Sequence, residues 1–312
     1  MAPSTVSTCT DTDVDPPALL DMRSLVRKSA PEEALVTGWS AVSASMQRVT
    51  VRLPIEHAFY SEGGRYSPML FVESLRQALA MLTHSLHDVP ISHRLGLENI
   101  RFSVKQHALY ATSHPATLTL LVTHPSIRRR RFGSAHFTSR LDVLRSGLPI
   151  GSAELRYTTH PPAVYDRLRG RYADAARAFA GALPLTPPVP AALVGRRHER
   201  DVVLSPTAAA HEWLLRIDVG HRVLFDHPHD HVPGMVLLEA ASQATQAVLR
   251  GPVVPVVFDT TFVRYTEYDR PCRVTAEFVA PDPRGRPRVK VSAFQEGDPV
   301  FTSTVTAVPR PH

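Results

Sequence analysis

A chain of 312 residues, 43% hydrophobic and 21% charged, has room for two ordinary domains and the composition of a soluble globular protein, with no apolar run long enough to span a membrane. Its net charge of +6 is carried almost wholly by arginine, since lysine stands only at 28, 105 and 290; this favours phosphorylated or acidic partners. Nucleic acid is disfavoured, because the short run at 128–131 sits in no binding motif, and Cys9 and Cys272 suggest neither a disulfide nor a catalytic thiolate but a reducing cytoplasm.

The first 17 residues are rich in Ser, Thr, Asp and Pro and lack a basic start and apolar core, so they read as a polar tail, not a signal peptide. Strands are predicted over 41–53, 116–123 and 135–143, where β-branched and apolar residues cluster. Between them Met69, Leu70, Val72, Leu75, Leu79 and Leu82 line one broad helical face, and Pro68 suits the first turn. A second helical stretch is predicted over 165–183. Pro184, Pro187, Pro188 and Pro190 then mark a linker.

The pattern recurs beyond the linker. Strands are predicted over 211–219, 253–257, 272–279, 288–295 and 300–308, with one helix over 234–249. A gapless register that lays residue 225 over 59 matches Phe59, Met69, Glu73, Gln77 and Ala78 with Phe225, Met235, Glu239, Gln243 and Ala244. Polar positions match as well as apolar ones, which implies a duplicated unit of one helix embraced by several strands. A single curled antiparallel sheet leaves an edge exposed, so two copies in one chain can complete each other. The expected class is α+β.

The richest stretch, F-D-H-P-H-D-H-V-P-G-M-V-L-L-E-A-A-S-Q-A, covers 225–244. Glu239 lies among apolar neighbours, where desolvation is expected to raise its pKa into the range useful for acid–base work. Gln243 follows one turn later on the same face. Gly234 opens the helix, whose unpaired N–H groups can polarise a thioester carbonyl. The histidines at 227, 229 and 231 invite a metal reading, but the spacing falls one residue short of the binuclear metallohydrolase run, and no metal or other cofactor is expected.

The stretch D-H-V-P-G-M-V-L-L-E-A-A-S-Q-A (230–244) resembles the signature of the A-factor biosynthesis family, the γ-butyrolactone synthases, and more loosely the hot-dog β-hydroxyacyl carrier-protein dehydratases. F-V-R-Y-T-E-Y-D-R-P-C (262–272) and P-M-L-F-V-E-S-L-R-Q-A (68–78) extend the likeness over both halves. The resemblance implies two tandem hot-dog domains, each an antiparallel sheet wrapped around a central helix, forming a pseudo-dimer. The corresponding division is a flexible tail over 1–28, domains over 29–164 and 199–312, and a helix and Pro-rich linker over 165–198. It also implies an acyltransferase that moves a β-ketoacyl group from an acyl carrier protein thioester to the hydroxyl of dihydroxyacetone phosphate, the ester then condensing to a phosphorylated butenolide.

Carried over by position, Glu73, Glu239, His231 and Arg76 are the candidate catalytic residues. Gln77, Asp230, Gly234, Ser242, Gln243 and Arg264 are candidate substrate-binding residues, Arg264 as a phosphate clamp. The family carries arginine where Ser242 stands, so either the two pseudo-sites are unequal or the missing cation comes from elsewhere. No G-x-S-x-G elbow occurs, which favours direct attack by the triose hydroxyl over a serine acyl-enzyme. A monomer or weak homo-oligomer in the cytoplasm is expected. The other readings are a carrier-protein dehydratase or thioesterase, and a non-catalytic binder of a lipid-like signal.

Overall fold

The computed structural model describes residues 21–310, so Cys9 and the residues up to 20 lie outside the described residues, as do 311 and 312. Met22–Val26 forms α1, capped by the Asp21 carboxylate accepting from Ser24 N. Val26 is fully buried, so the tail expected through residue 28 gives way to packed structure before it ends. The strand predicted over 41–53 is a hairpin, β1 (Val36–Ser43) and β2 (Met46–Leu53). A two-residue ribbon, β3 (Ser61–Glu62) and β4 (Arg65–Tyr66), leads into α2 (Pro68–Ser85). Then follow β5 (Arg94–Val104), β6 (Ala116–Arg129), β7 (Ala135–Arg145) and β8 (Leu148–His160).

The helix predicted over 165–183 is two short ones, α3 (Pro162–Arg169) and α4 (Ala175–Ala180). Gly170 breaks the run at φ 54, a conformation that favours glycine, and Asp174 starts the second piece by accepting from Arg177 N. The second half repeats the first: β9 (Leu204–Pro206), β10 (Glu212–Leu215), α5 (Gly234–Leu249), β11 (Val253–Phe262), β12 (Arg273–Val279), β13 (Arg288–Gln295) and β14 (Asp298–Pro309).

All strands but β3 and β4 join one twelve-stranded sheet in the order β1-β2-β6-β7-β8-β5-β11-β14-β13-β12-β10-β9. Read from either end, the order is the same in element roles: two strands before the helix, three after it, and at the centre the strand that directly follows the helix. The duplication expected from sequence is therefore a property of the topology. Each half carries a helix across its sheet, and the sheet is antiparallel throughout.

The halves are joined where β5 pairs with β11, in register from Val257 opposite Ser103 to Thr261 opposite Asn99. Phe102 and Phe258 face each other at this seam, buried and stacked with centroids 6.5 Å apart. Strands β5 and β8 were not predicted. The first half of β5 is only partly buried, because it borders a cavity, and it lacks the alternation that marks a strand with one solvent face.

Phe258→Ala is expected to cost about 3–5 kcal/mol, the usual loss for emptying a buried aromatic site, read as a lower denaturation midpoint. A cost below about 1 kcal/mol would mean that the seam does not hold the halves together.

Candidate functional site

Both helical glutamates point inward, each 1% exposed. Neither stands alone among apolar groups as expected. Arg76 grips Glu73 through two hydrogen bonds of 2.9 and 2.7 Å. Gln77 donates to the same carboxylate at 2.8 Å, and Lys28 Nζ lies 3.1 Å away. Burial pushes the Glu73 carboxyl up, but Arg76, then Lys28, and the hydrogen bonds outweigh it and hold the group well below the usual carboxylate range. Glu73 is an ionised anchor.

Glu239 is held in the same way by a different cation. Arg196, from the connection between the halves, donates to Oε1 at 2.9 Å and lies 2.7 Å from Oε2. The same guanidinium donates to Phe59 O and stacks over the Phe59 ring at 4.1 Å. Arg196 fills the role that Lys28 fills in the first half, and it supplies the charge missing at Ser242. The gapless register hides this equivalence, because it lays Lys28 over Val194, two residues short of Arg196. Only the carboxylate each cation meets identifies the pair.

Gln77 and Gln243 bind backbone. Gln77 donates to Glu33 O and accepts from Leu35 N, and Gln243 donates to Asp201 O and accepts from Val203 N. Each ties its helix to the chain beside it. His57 with Glu33 and His221 with Asp201, both 3.2 Å apart, repeat the same brace.

The two pseudo-sites differ in space and in the tip of the facing helix. A cavity of about 610 Å³ is lined by Glu73 and Arg76 from α2 and by Gly234, Asp230, His231 and Arg264 from the second half. Glu239 and Ser242 line a separate cavity of about 100 Å³. Buried Tyr60 borders both. At the small cavity Ser67 caps α2 by accepting from Met69 N. At the large one the corresponding residue is Pro233, which has no side-chain cap to offer; Val236 N donates to Pro233 O, and Gly234 and Met235, the first two residues of α5, line the cavity without a side-chain cap. A Cβ at Gly234 would lie 3.0 Å from the Phe262 ring, so a larger residue at the tip would press on that ring.

Asp230 and His231 form a dyad at the cavity wall. His231 Nδ1 lies 3.1 Å from Asp230 Oδ1. Tyr165 and Arg169 donate to the other carboxylate oxygen at 2.8 and 2.6 Å. Burial opposes ionisation of Asp230, but His231, Tyr165 and Arg169 prevail and hold it well below the usual range. An ionised acceptor at that distance requires the proton on Nδ1, which leaves Nε2 to accept another. The first half has Gly64 and Arg65 at the matching positions, so it has no such dyad.

Burial, then His227 and His231, push His229 down to about 3, so its imidazole is neutral. Among the described residues, Asp226, His227 and His229 bring ligand atoms within 4.8 Å of one another, close enough to hold a metal ion. Asp226 is already engaged by Ser29 N at 2.9 Å and by His227 at 2.7 Å. Cys272 is buried, which pushes its thiol up to about 12 and leaves it inert.

Arg264 is largely exposed at the rim and paired with Asp298. A cation that sequence reasoning missed lies deeper. Arg27 donates to the carbonyls of Ile91 and His93 and lines the cavity. Among the described residues no carboxylate pairs with it. Burial and the neighbouring Arg94 and Arg76 push it down to about 10, the mark of positive charge crowded without a counterion. It stands at the left-handed C-cap of α1, in a segment read as tail, so no motif pointed to it.

A family model for the A-factor biosynthesis hotdog domain matches residues 10–161 and 179–310. A relative from Streptomyces virginiae, named 2-oxo-3-(phosphooxy)propyl 3-oxoalkanoate synthase, is 36% identical over 91% of this chain and 96% of its own. Proteins of the same name from Streptomyces coelicolor and Streptomyces griseus are 35% and 34% identical, covering 91% and 92% of this chain and 90% and 95% of theirs. Among solved structures, the chain is similar to one described as an oleoyl thioesterase from Lactobacillus plantarum, with a TM-score of 0.52 and 10% identity over 87% of this chain and 99% of that one. At that identity the likeness establishes the hot-dog fold alone.

Arg196→Ala strands the Glu239 carboxylate without its cation and is expected to destabilise the protein by about 3–5 kcal/mol. Adding Glu239→Gln should restore much of the loss in a double-mutant cycle. Additive losses would show that the two side chains do not act as a pair.

The Glu73 lock predicts acid sensitivity. Its folded-state pKa is depressed, so its stabilisation is present above the unfolded carboxyl value and is lost as pH falls through the folded one. Thermal melts of Glu73→Gln should start lower at neutral pH and fall less steeply on acidification. An acid limb as steep as that of the parent would disprove the lock.

Proposed function

The chain belongs to the A-factor biosynthesis hotdog family, and from that premise we propose that it transfers a 3-oxoacyl group from a thioester on an acyl carrier protein to the hydroxyl of dihydroxyacetone phosphate. The product is the 2-oxo-3-(phosphooxy)propyl 3-oxoalkanoate ester for which its relatives are named. The observation that carries this reading is the inequality of the two pseudo-sites. One cavity combines volume, a helix tip without a side-chain cap, a histidine–aspartate dyad and Arg27, with which no carboxylate among the described residues pairs; the other is far smaller, its facing helix tip is capped by Ser67, and it has no such dyad.

In this reading the triose phosphate enters with its phosphate on Arg27 and Arg94, which attract a dianion more strongly because no carboxylate among the described residues pairs with them. Arg264 stands at the outer rim. His231 Nε2 takes the proton from the attacking hydroxyl, and Asp230 holds the ring and stabilises its charge. The hydroxyl oxygen adds to the thioester carbon, and the oxyanion settles on the N–H groups at the tip of α5. Collapse of the tetrahedral intermediate expels the thiolate, which recovers the proton from His231. No bond to the protein forms.

Glu73 is not the base, because its carboxylate is already spent on Arg76 and Lys28. It fixes Arg76 at the cavity wall. Glu239 with Arg196 holds the second helix in place. The apolar wall formed by Val72, Leu79, Leu155 and Leu237 takes the acyl chain. The ester so formed has an activated methylene between two carbonyls and a ketone within reach, so an internal condensation with loss of water closes the butenolide ring.

The test is the mass of the ester formed from 3-oxodecanoyl carrier protein and dihydroxyacetone phosphate. His231→Gln should lower kcat by about 10²–10⁴, the usual weight of general base catalysis, with little change in KM. Arg27→Gln should raise KM for dihydroxyacetone phosphate about tenfold or more and leave turnover of unphosphorylated dihydroxyacetone unchanged. Release of free acid at the same rate without any acceptor, or an acylated residue in the digested protein, would overturn the mechanism.

A further inference from the structure

The end of β6 and the turn to β7 carry Arg128, Arg129, Arg130, Arg131 and Phe132, all exposed. Among the described residues no carboxylate forms an ion pair with any of the four arginines. Arg129 donates to His87 O at 2.7 Å, and Arg131 lies over the ring of Phe132 with its guanidinium carbon 5.3 Å from the centroid. The turn is braced: Arg130 N donates to Ser134 O at 2.7 Å and Gly133 N to Arg130 O at 3.2 Å, while Ser134 Oγ meets His160 Nδ1 at 2.9 Å. Phe132 sits at φ 72, a strained backbone for a bulky residue, and the residue is 75% exposed. A rigid turn thus concentrates like charge and displays an aromatic ring to water, an arrangement from which the fold itself gains nothing.

The register of the sheet ties this turn to the cavity. Arg129 is opposite Ala135, Ala135 is opposite Thr159, and Thr159 is opposite Leu95. Leu95 lines the large cavity, and Arg94 beside it both lines the cavity and is exposed, so the cavity opens there. Three strand spacings, about 14 Å, separate that opening from the arginine turn. A carrier docked on the turn can reach the opening with a flexible thioester arm.

We infer that the turn over residues 128–132 is the docking surface for the acidic carrier protein that delivers the acyl chain, its acidic face on the arginines and an apolar side chain against Phe132. This rests on the reading of the protein as an acyltransferase fed by a carrier, and it names the place where the carrier binds. The arginines act on encounter and orientation rather than on the reaction, so their contribution is screened by salt. The interaction surface lies outside the cavity, so it leaves the chemical groups untouched.

The experiment compares two donors bearing the same 3-oxodecanoyl chain, one on an acyl carrier protein and one on pantetheine, each with dihydroxyacetone phosphate. The triple variant Arg128→Glu, Arg130→Glu, Arg131→Glu is expected to lose about tenfold or more in kcat/KM with the carrier and nothing with pantetheine. Phe132→Ala should fall in the same direction, and the parent's rate with the carrier should drop as salt rises. Unchanged pantetheine turnover also shows that the variants are folded. Equal losses with both donors, or no loss with the carrier, would overturn the docking surface while leaving the acyltransferase reading intact. A parent protein that makes no ester from either donor defeats the acyltransferase reading itself.

Discussion

Burying a carboxylate on a central helix of each half sets the terms for the rest of the molecule. An ion of that size cannot leave water without a partner, so each glutamate must bring a cation with it from another part of the chain. Lys28 comes from the segment before the first strand, and Arg196 from the segment before the second set of strands. These incoming segments are thereby fixed against the helices, and the glutamines one turn on hold the following backbone through its own N–H and C=O groups. The ion pairs orient the helices across the sheet as well as neutralising charge.

Duplication supplies two such locks, and divergence has made them serve different ends. In the first half, arginine at 76 adds a second cation beside Lys28, and the lock faces a roomy cavity. In the second, serine stands at that position, Arg196 stacks on Phe59, and the space closes to a remnant. The facing helix tips diverge in the complementary sense: a serine satisfies one tip from within, whereas a proline leaves the other available. The large cavity is composite, with its anchored carboxylate from one half and its helix tip and imidazole from the other. It exists only because β5 and β11 pair and bring the halves together.

The resemblance and the repeat were legible because they rest on local order. A Pro-Gly helix start followed by glutamate and glutamine one turn apart is a short pattern, and its echo at 73 and 77 survives as a gapless register. Helix positions were readable for the same reason, since Leu and Met spacing along α2 reports a buried face without reference to the rest of the chain. The linker region was less legible, because a single glycine and one capping aspartate split the expected helix. Strand β5 escaped because one stretch of it faces a cavity, and cavity walls do not alternate.

The amino-acid sequence by itself determined the fold class, the duplication, the two glutamates and the arginine-rich positive charge, since each depends on residue type and near-neighbour spacing. Only the tertiary structure decided which half is open, that Arg196 replaces the missing arginine, and that Arg27 stands unneutralised in the large cavity. Electrostatic partnership and empty volume are set by distances between residues far apart in the chain, and a linear pattern does not contain those distances. The same reason explains why Glu73, expected to work as an acid or base, is instead a fixed anion: its state depends on cations that folding brings to it.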